Sequence, residues 1–321
     1  MRSQSGRPAF GRRVFLRAAA FTVLAVPTAS GLAACTSGYE DAPDPLRPLW
    51  LQASGHAKAA EKLATESSDL ADVAGQVATV RAAHAEALRA EVERLNRPVP
   101  EGETPPTFDT SDPSRLWSWL AEGRDEALRL LPELPRHRAG LVGSVAAGCA
   151  AALELGQPSQ LGEPAFDPTS VTRLEDDTAN AVQTALETEH AAIWVYGLVR
   201  AFLDEDYESG ITRGERAHIE RRDVCERLLS AAGRTPRPAE PAYVLTDPVT
   251  DDGSAARAVA TAESDATTAW HGVLERTDDA SIRDFAVHCL IGAATRGVHW
   301  REEAGIEPVV PRLPGREPAT H

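Results

Sequence analysis

The strongest constraint on the fold is a bipartite motif that occurs twice in the second half of the chain. Its first part, Glu-x-x-Ala-x-x-x-aromatic, spans Glu189–Tyr196 and recurs at Glu263–Trp270. Its second part follows as Glu215–His218 and returns with one change at Arg296–His299. Side chains three or four residues apart share one face of a helix. The repeat therefore predicts a set of helices that direct acidic and imidazole groups toward one interior.

Such a pattern is typical of a metal-binding helical bundle. Two lone glutamates and two Glu-x-x-His pairs, each on its own helix, can hold two metal ions inside four helices. This chain supplies five of those six ligands and places Arg296 where the sixth, a glutamate, is expected. The candidate ligands are Glu189, Glu215, His218, Glu263 and His299.

Arg296 decides how many ions this set can hold. A guanidinium has only hydrogen-bond donors and stays charged, so it does not ligate a cation. The three glutamates balance Arg296 plus one divalent ion, whereas a second ion leaves uncompensated positive charge in the interior. The sequence permits a mononuclear site for iron, manganese or zinc. It equally permits a metal-free network in which Arg296 forks onto Glu263 or Glu215.

The N-terminus has the layout of an export signal. Arg12 and Arg13 form a twin-arginine pair followed by apolar residues, with a further apolar run over 18–26. Leu32–Cys35 then places a cysteine directly after Leu-Ala-Ala. This order of charged, apolar and small-residue regions predicts a signal peptide, and the cysteine predicts lipidation.

These features predict residues 1–34 as a twin-arginine lipoprotein signal peptide and Cys35 as the acylated residue of the mature protein. Residues 35–47 are then a polar tether. We expect the mature chain at the outer face of the cytoplasmic membrane, held there by its lipid. An uncleaved membrane anchor is the alternative, but the apolar run is short for a span.

The charge balance and the cysteines limit the partners further. The formal charge is −15, from 48 acidic and 33 basic residues, which argues against a nucleic-acid partner. Cys149, Cys225 and Cys289 lack C-x-x-C spacing, so a zinc site of that type is not expected. They are either buried apolar side chains or, for Cys225 and Cys289, a disulfide. A protein partner and a homodimer both remain open.

The rest of the sequence predicts an all-α protein with two antiparallel helical bundles. Helical periodicity is interrupted by Pro-rich segments, and no useful stretch alternates with period two. The predicted helices are two within Pro48–Leu95, divided near Ser67–Asp69, then Ser114–Leu131, Arg136–Leu155, Glu175–Asp204, Thr212–Ala232, Ser254–Thr277 and Ser281–Ala304. The domains are an N-terminal bundle (48–156), a Pro-rich linker (157–172), a four-helix bundle (173–303) and a Pro-rich tail (304–321).

Two boundaries in the second bundle carry specific expectations. Thr212-x-x-Glu215 has the spacing of a capping box that opens a helix, and Gly233 is placed to end it. The connection over 233–253 is long, whereas 278–280 is a tight turn. A long middle connection between two helix pairs predicts a crossover.

With these residues in view, the segment 173–303 resembles a ferritin-like domain, the bundle shared by ferritin, rubrerythrin and the di-iron carboxylate enzymes. It is similar to actinobacterial ferritin-like proteins of unknown function that are secreted or lipid-anchored. The resemblance implies Glu189 as the first-helix ligand and Glu263 as the third-helix ligand. It implies Glu215 with His218 on the second helix, and His299 on the fourth, as the remaining ligands.

These observations favour a binding or scaffold protein with a degenerate metal site over an enzyme. The alternative is a metal-dependent oxidase or peroxidase, or a metal carrier, that uses the same five residues. No nucleophile triad, phosphate loop or nucleotide fingerprint accompanies them.

Other polar residues have weaker indications. Tyr196 and Trp270 are expected in the core, and Arg221–Asp223 as a solvated or domain-facing charge run. His271 and His288 are candidates for a pair across two helices, and His190 for a surface or inter-domain position. In the first bundle, Ala83-His84-Ala85-Glu86 echoes the sequence around His218, and Ala121-Glu122 echoes Ala262-Glu263. This echo fits either an old duplication or chance.

Overall fold

The described part of the chain is entirely helical. The computed structural model describes residues 42–95, 97, 102–158 and 166–316, and these contain eight α-helices and no strand. The predicted signal peptide, Arg12, Arg13 and Cys35 lie outside the described residues. The helices are α1 Arg47–Glu66, α2 Ala71–Arg94, α3 Arg115–Leu130, α4 Arg136–Leu153, α5 Asp176–Val199, α6 Glu208–Ala231, α7 Asp252–Leu274 and α8 Ala280–Glu303. Among these residues, none of the helices combines the length and apolarity that a membrane span requires.

Most predicted helix boundaries are confirmed. The break in the first segment lies at Ser67, where α1 ends and a 3₁₀ turn over Ser68–Leu70 leads into α2. Gly233 follows α6 with φ of +70°, the left-handed conformation that a glycine adopts without steric cost at a helix C-terminus.

The capping box predicted at Thr212 is wrong. A 3₁₀ turn over Glu205–Tyr207 feeds α6, which already begins at Glu208. The Thr212 hydroxyl donates to Glu208 Oε1 at 2.9 Å within the helix, so it caps nothing. A capping box opens α7 instead, where Asp251 Oδ1 accepts from the Ser254 amide at 2.8 Å and Ser254 Oγ accepts from the Asp251 amide at 3.0 Å.

Helix α4 is the central element of the packing. It contacts α2 and α3 of the first helix group, which consists of α1 to α4, and α7 and α8 of the second, which consists of α5 to α8. Every residue over 138–153 is buried, and most of them are alanine, glycine or another small residue. Small side chains let neighbouring backbones approach on all sides of one helix. A continuous buried apolar cluster therefore includes side chains from both helix groups.

The ends of the described chain pack onto this core. Asp44, in the predicted tether, is buried and receives Arg138 Nη2 of α4 at 2.9 Å on each carboxylate oxygen. In the predicted tail, Val310 is buried and Ser144 Oγ donates to the Pro314 carbonyl at 2.7 Å. The described parts of both segments thus belong to the folded core.

The described cysteines are buried thiols. None of Cys149, Cys225 and Cys289 forms a disulfide, so the alternative of a bond between Cys225 and Cys289 is not realised. Their interpretation as small buried apolar side chains is confirmed.

Candidate functional site

Three of the five candidate ligands meet at the centre of the second helix group. Glu189 of α5, His218 of α6 and Glu263 of α7 have fully buried side chains. His218 lies between the two carboxylates, with Nδ1 2.5 Å from Glu189 Oε2 and Nε2 3.3 Å from Glu263 Oε1. Both imidazole nitrogens are therefore used, each toward a different helix.

The aromatic residue of each motif donates a hydrogen bond to the glutamate of the other motif. Trp270 Nε1 of α7 donates to Glu189 Oε1 of α5 at 2.6 Å. Tyr196 Oη of α5 donates to Glu263 Oε1 of α7 at 2.5 Å. Because the acid of each motif pairs with the aromatic of the other, α5 and α7 run antiparallel with the two motifs in register. The expected burial of both aromatics is confirmed, and their polar role was not foreseen from the sequence.

The alanine of each motif belongs to the buried face of its helix. Ala192 and Ala266, three residues after the respective glutamates, are both buried. The spacing Glu-x-x-Ala-x-x-x-aromatic thus places a hydrogen-bond acceptor, a small buried side chain and a donor on one face of each helix.

Arg296 binds Glu263. Its Nε donates to Glu263 Oε1 at 2.7 Å and its Nη2 to Oε2 at 3.1 Å, which is a bidentate fork. The guanidinium thus lies where the motif would place a ligand glutamate. The fork onto Glu263 is one of the two that the metal-free network predicted, the other being onto Glu215.

Glu215 and His299 do not join this cluster, so the predicted convergence of five ligands is wrong. Glu215 is partly exposed and accepts from Arg200 Nη2 at 2.6 Å. His299 is largely exposed, with Nε2 3.1 Å from Oε2 of Glu154, the residue that directly follows α4. A residue three positions away on a helix is displaced by about 60° around the axis. With His218 pointing inward, Glu215 falls at the rim, and the same offset turns His299 away from the centre.

Within the described residues, no group of three or more histidine, cysteine, aspartate or glutamate side chains is arranged to hold a metal ion. The geometry around His218 gives the reason. An ion needs ligand atoms that face a common point. Here the imidazole separates Glu189 from Glu263 and presents one nitrogen to each.

The two carboxylates, His218 and Arg296 are all ionised. Burial by itself raises the pKa of Glu263, but Arg296 and His218 outweigh burial and lower the pKa below its ordinary value. Burial likewise opposes ionisation of Glu189, and His218 again lowers its pKa. Burial lowers the pKa of His218, yet the two carboxylates raise it above 6.5 overall. Two carboxylates thus face one imidazolium and one guanidinium.

Tyr196 remains a hydrogen-bond donor in this setting. Burial, followed by the neighbouring charge of Glu263, raises the pKa of its phenol well above 10. The tyrosine therefore donates to Glu263 and does not add a third negative charge to the cluster.

Arg221 is a member of this region that the sequence interpretation placed wrongly. It was expected in a solvated or domain-facing run, but its side chain is fully buried on α6. Its positive charge helps to lower the pKa of Glu189. The glycine at 292 leaves room for it, since a Cβ atom there would collide with the Arg221 guanidinium. The spacing of three from His218 was the available signal.

The other histidines that the sequence singled out in α5, α7 and α8 make contacts of their own outside this network. His288 Nδ1 donates to the Asp284 carbonyl at 2.8 Å within α8, and His271 lies 3.8 Å from Glu275 within α7. The predicted His271–His288 pair is therefore wrong. His190 is buried, and its Nε2 donates to the Arg237 carbonyl at 3.3 Å, where it secures the α6–α7 connection.

Helices α5 to α8, which carry this network, coincide with a known domain family. Residues 181–318 match the family described as Domain of unknown function (DUF4439). The DUF4439 region therefore includes Glu189, His218, Glu263 and Arg296. A crystal structure of a conserved hypothetical protein, rv2844, from Mycobacterium tuberculosis is also similar to the chain. It shares 33% identity over 41% of this chain and 93% of that one, with a TM-score of 0.39. No curated protein matches the chain.

Removal of Arg296 tests the importance of the fork. Arg296→Gln leaves Glu263 buried without its bidentate partner, and breaking a buried ion pair is strongly destabilising. We expect the free energy of unfolding to fall by about 2–4 kcal/mol in chemical denaturation. Arg216→Gln is the matched control on α6, because Arg216 is largely exposed and, among the described residues, forms an ion pair with Glu220 alone. Its loss should cost less than about 0.5 kcal/mol. Equal effects of the two variants would contradict the importance of the fork.

The pH dependence of stability tests the charge on His218. Its pKa is raised in the folded state, so its contribution is fully present below pH 6.5 and is lost as the pH rises through the folded pKa. The stability advantage of the wild type over His218→Gln should therefore shrink as the pH rises above 6.5. Urea unfolding at a series of pH values measures this difference. A constant or growing advantage over that range would show that His218 is neutral.

Proposed function

We propose that this chain is a lipid-anchored protein of the cell envelope, with a ferritin-like bundle in its DUF4439 region, that serves as a binding or scaffold protein. The twin-arginine pair and the cysteine after Leu-Ala-Ala support export and lipid anchoring. The arrangement of α5 to α8 supports the ferritin-like assignment. The buried ion network supports a structural role for the ligand positions.

The topology argument starts from the crossed hydrogen bonds. They require α5 and α7 to be antiparallel, and a short connection makes α5 and α6 an antiparallel pair. Helix α7 then starts at the end of the bundle opposite to the end of α6. The chain over 232–251 is long enough to return along the bundle. Two helix hairpins joined by one long crossover are the connectivity of ferritin-like folds.

The observation that carries the functional proposal is the position of His218 between Glu189 and Glu263. In a metal site, the imidazole and both carboxylates would face one ion. Here they face one another, and Arg296 binds Glu263. The residues present therefore do not fit a two-metal centre. The network instead ties α5, α6, α7 and α8 together through charge-assisted hydrogen bonds.

Metal analysis of the purified protein, folded in the cytoplasm of the expression host, tests this proposal. We expect well under about half an equivalent of iron, manganese or zinc, because the described residues offer no common coordination point. The Arg296→Glu variant supplies the sixth acidic residue of the motif. It should gain no metal, because Glu215 and His299 are directed to Arg200 and Glu154.

Two results would contradict the structural role. One is near-stoichiometric metal in the wild type that is lost in His218→Ala. The other is a rise to about one equivalent or more in Arg296→Glu, which would mean that Arg296 alone prevents coordination. Either result would favour the oxidase, peroxidase or metal-carrier alternative.

Anchoring is tested separately in a host with a twin-arginine pathway. The wild-type chain should incorporate a labelled fatty acid and sediment with membranes. Cys35→Ser should lose the label, because acylation occurs on the thiol. Cys149→Ser is the control and should keep it, since Cys149 is buried in the folded protein. An unlabelled wild type, or a label that survives Cys35→Ser, would contradict the lipid anchor.

A further inference from the structure

The first helix group contains a buried cation without an acidic partner. Arg81 of α2 is fully buried, and its guanidinium contacts His84 Nδ1 at 3.0 Å, Cys149 Sγ at 3.0 Å and His56 Nδ1 at 3.4 Å. Among the described residues, no carboxylate forms an ion pair with Arg81. The buried Arg138 shows the usual arrangement, with Asp44 and Glu91 each 2.9 Å away. Uncompensated buried charge is strongly destabilising.

None of the three partners supplies the missing negative charge. Burial, assisted by Arg81, lowers the pKa of His56 and of His84 to about 3, so both imidazoles are neutral. Burial raises the pKa of the Cys149 thiol despite the nearby Arg81, so the thiol keeps its proton. At longer range, Arg124 and Asp125 act on Cys149 with opposite signs. The cluster around Arg81 thus carries one positive charge.

Once the hydrogen bonds around Arg81 are assigned, several buried N–H groups of this region are left without an acceptor among the described residues. Arg81 donates to Nδ1 of both histidines, so each carries its proton on Nε2. His84 Nε2 donates to the Arg312 carbonyl at 2.7 Å. Within the described residues, the buried atoms His56 Nε2, Arg81 Nε and Trp119 Nε1 have no hydrogen-bond partner. All three are donors, and only an acceptor can satisfy them.

These donors belong to one aromatic-walled region. The rings of His56 and Trp119 are stacked with centroids 5.8 Å apart, and Phe108 lies 4.3 Å from His56 and 5.7 Å from Trp119. A buried donor without a partner costs about 1–3 kcal/mol, and native proteins satisfy nearly all such groups. One negatively charged acceptor would satisfy donors and neutralise Arg81 together. Complete burial restricts it to a small species.

We propose that the core of the first helix group binds one small monovalent inorganic anion at Arg81, with the N–H groups of His56 and Trp119 as further donors. A halide fits this chemistry, because it accepts hydrogen bonds from several directions and carries one negative charge. Binding of this ion stabilises the folded chain and contributes no chemistry.

The test uses thermal unfolding of the full chain in bromide, with gluconate as the large reference anion at constant ionic strength. A ligand that binds only the folded state raises the unfolding midpoint as its concentration rises. We expect a shift of about 5 °C at saturating bromide relative to gluconate. The Cys149→Asp variant places a carboxylate beside Arg81. It should lose the bromide dependence, and so should Arg81→Gln if that variant folds.

Arg138→Gln is the matched control, because Asp44 and Glu91 already balance that buried arginine. It should be less stable than the wild type and keep the bromide dependence. Crystals grown in bromide should show an anomalous peak beside Arg81. Equal midpoints in bromide and gluconate would overturn the proposal. Bromide dependence that survives in Cys149→Asp, or that disappears in Arg138→Gln, would overturn it as well.

Discussion

The imidazolium of His218 between two buried carboxylates is the interaction on which the second helix group depends. His218 of α6 is charged in the interior because carboxylates of both α5 and α7 face it, and each of these carboxylates is in turn stabilised by His218. The crossed bonds from Trp270 and Tyr196 add a second condition, because they form only at one axial stagger of α5 and α7. The network therefore specifies both the rotation of each helix about its axis and the position of the helices along that axis.

The sequence predicted more of the fold than of the site. Local chemistry is visible in sequence, so the break at Ser67 and the C-terminal glycine at 233 were found. The motif also identified Glu189, His218 and Glu263 as interior groups, and a fork of Arg296 onto Glu263 was one of the two that the sequence left open, the other being onto Glu215. These predictions concern single helices or a single pair of charges.

The errors arise where neighbouring helices decide the orientation. Spacing of three leaves about 60° of ambiguity around the axis, so one member of each pair can lie at the rim. Arg200 and Glu154, which hold Glu215 and His299 there, carry no motif of their own. Arg221 was misjudged because a run of charged residues resembles a solvated face. Its burial depends on a glycine at 292 that lies far away in sequence.

The Ala-rich composition explains why a polar network is useful without any metal. Interfaces of alanine and glycine are smooth, so neighbouring registers bury similar apolar area and differ little in free energy. Interactions among charged groups fail completely when the register shifts, because each buried charge then loses its partner. The second helix group uses this penalty through His218 and Arg296, which pair with the buried Glu189 and Glu263. In the first helix group, Arg81 and His84 lie on one face of α2. Glu122, whose sequence surroundings resemble those of Glu263, is about half exposed and lies 4.0 Å from Arg115. Among the described residues, Arg81 thus has no acid of its own, and the proposed anion supplies its negative charge.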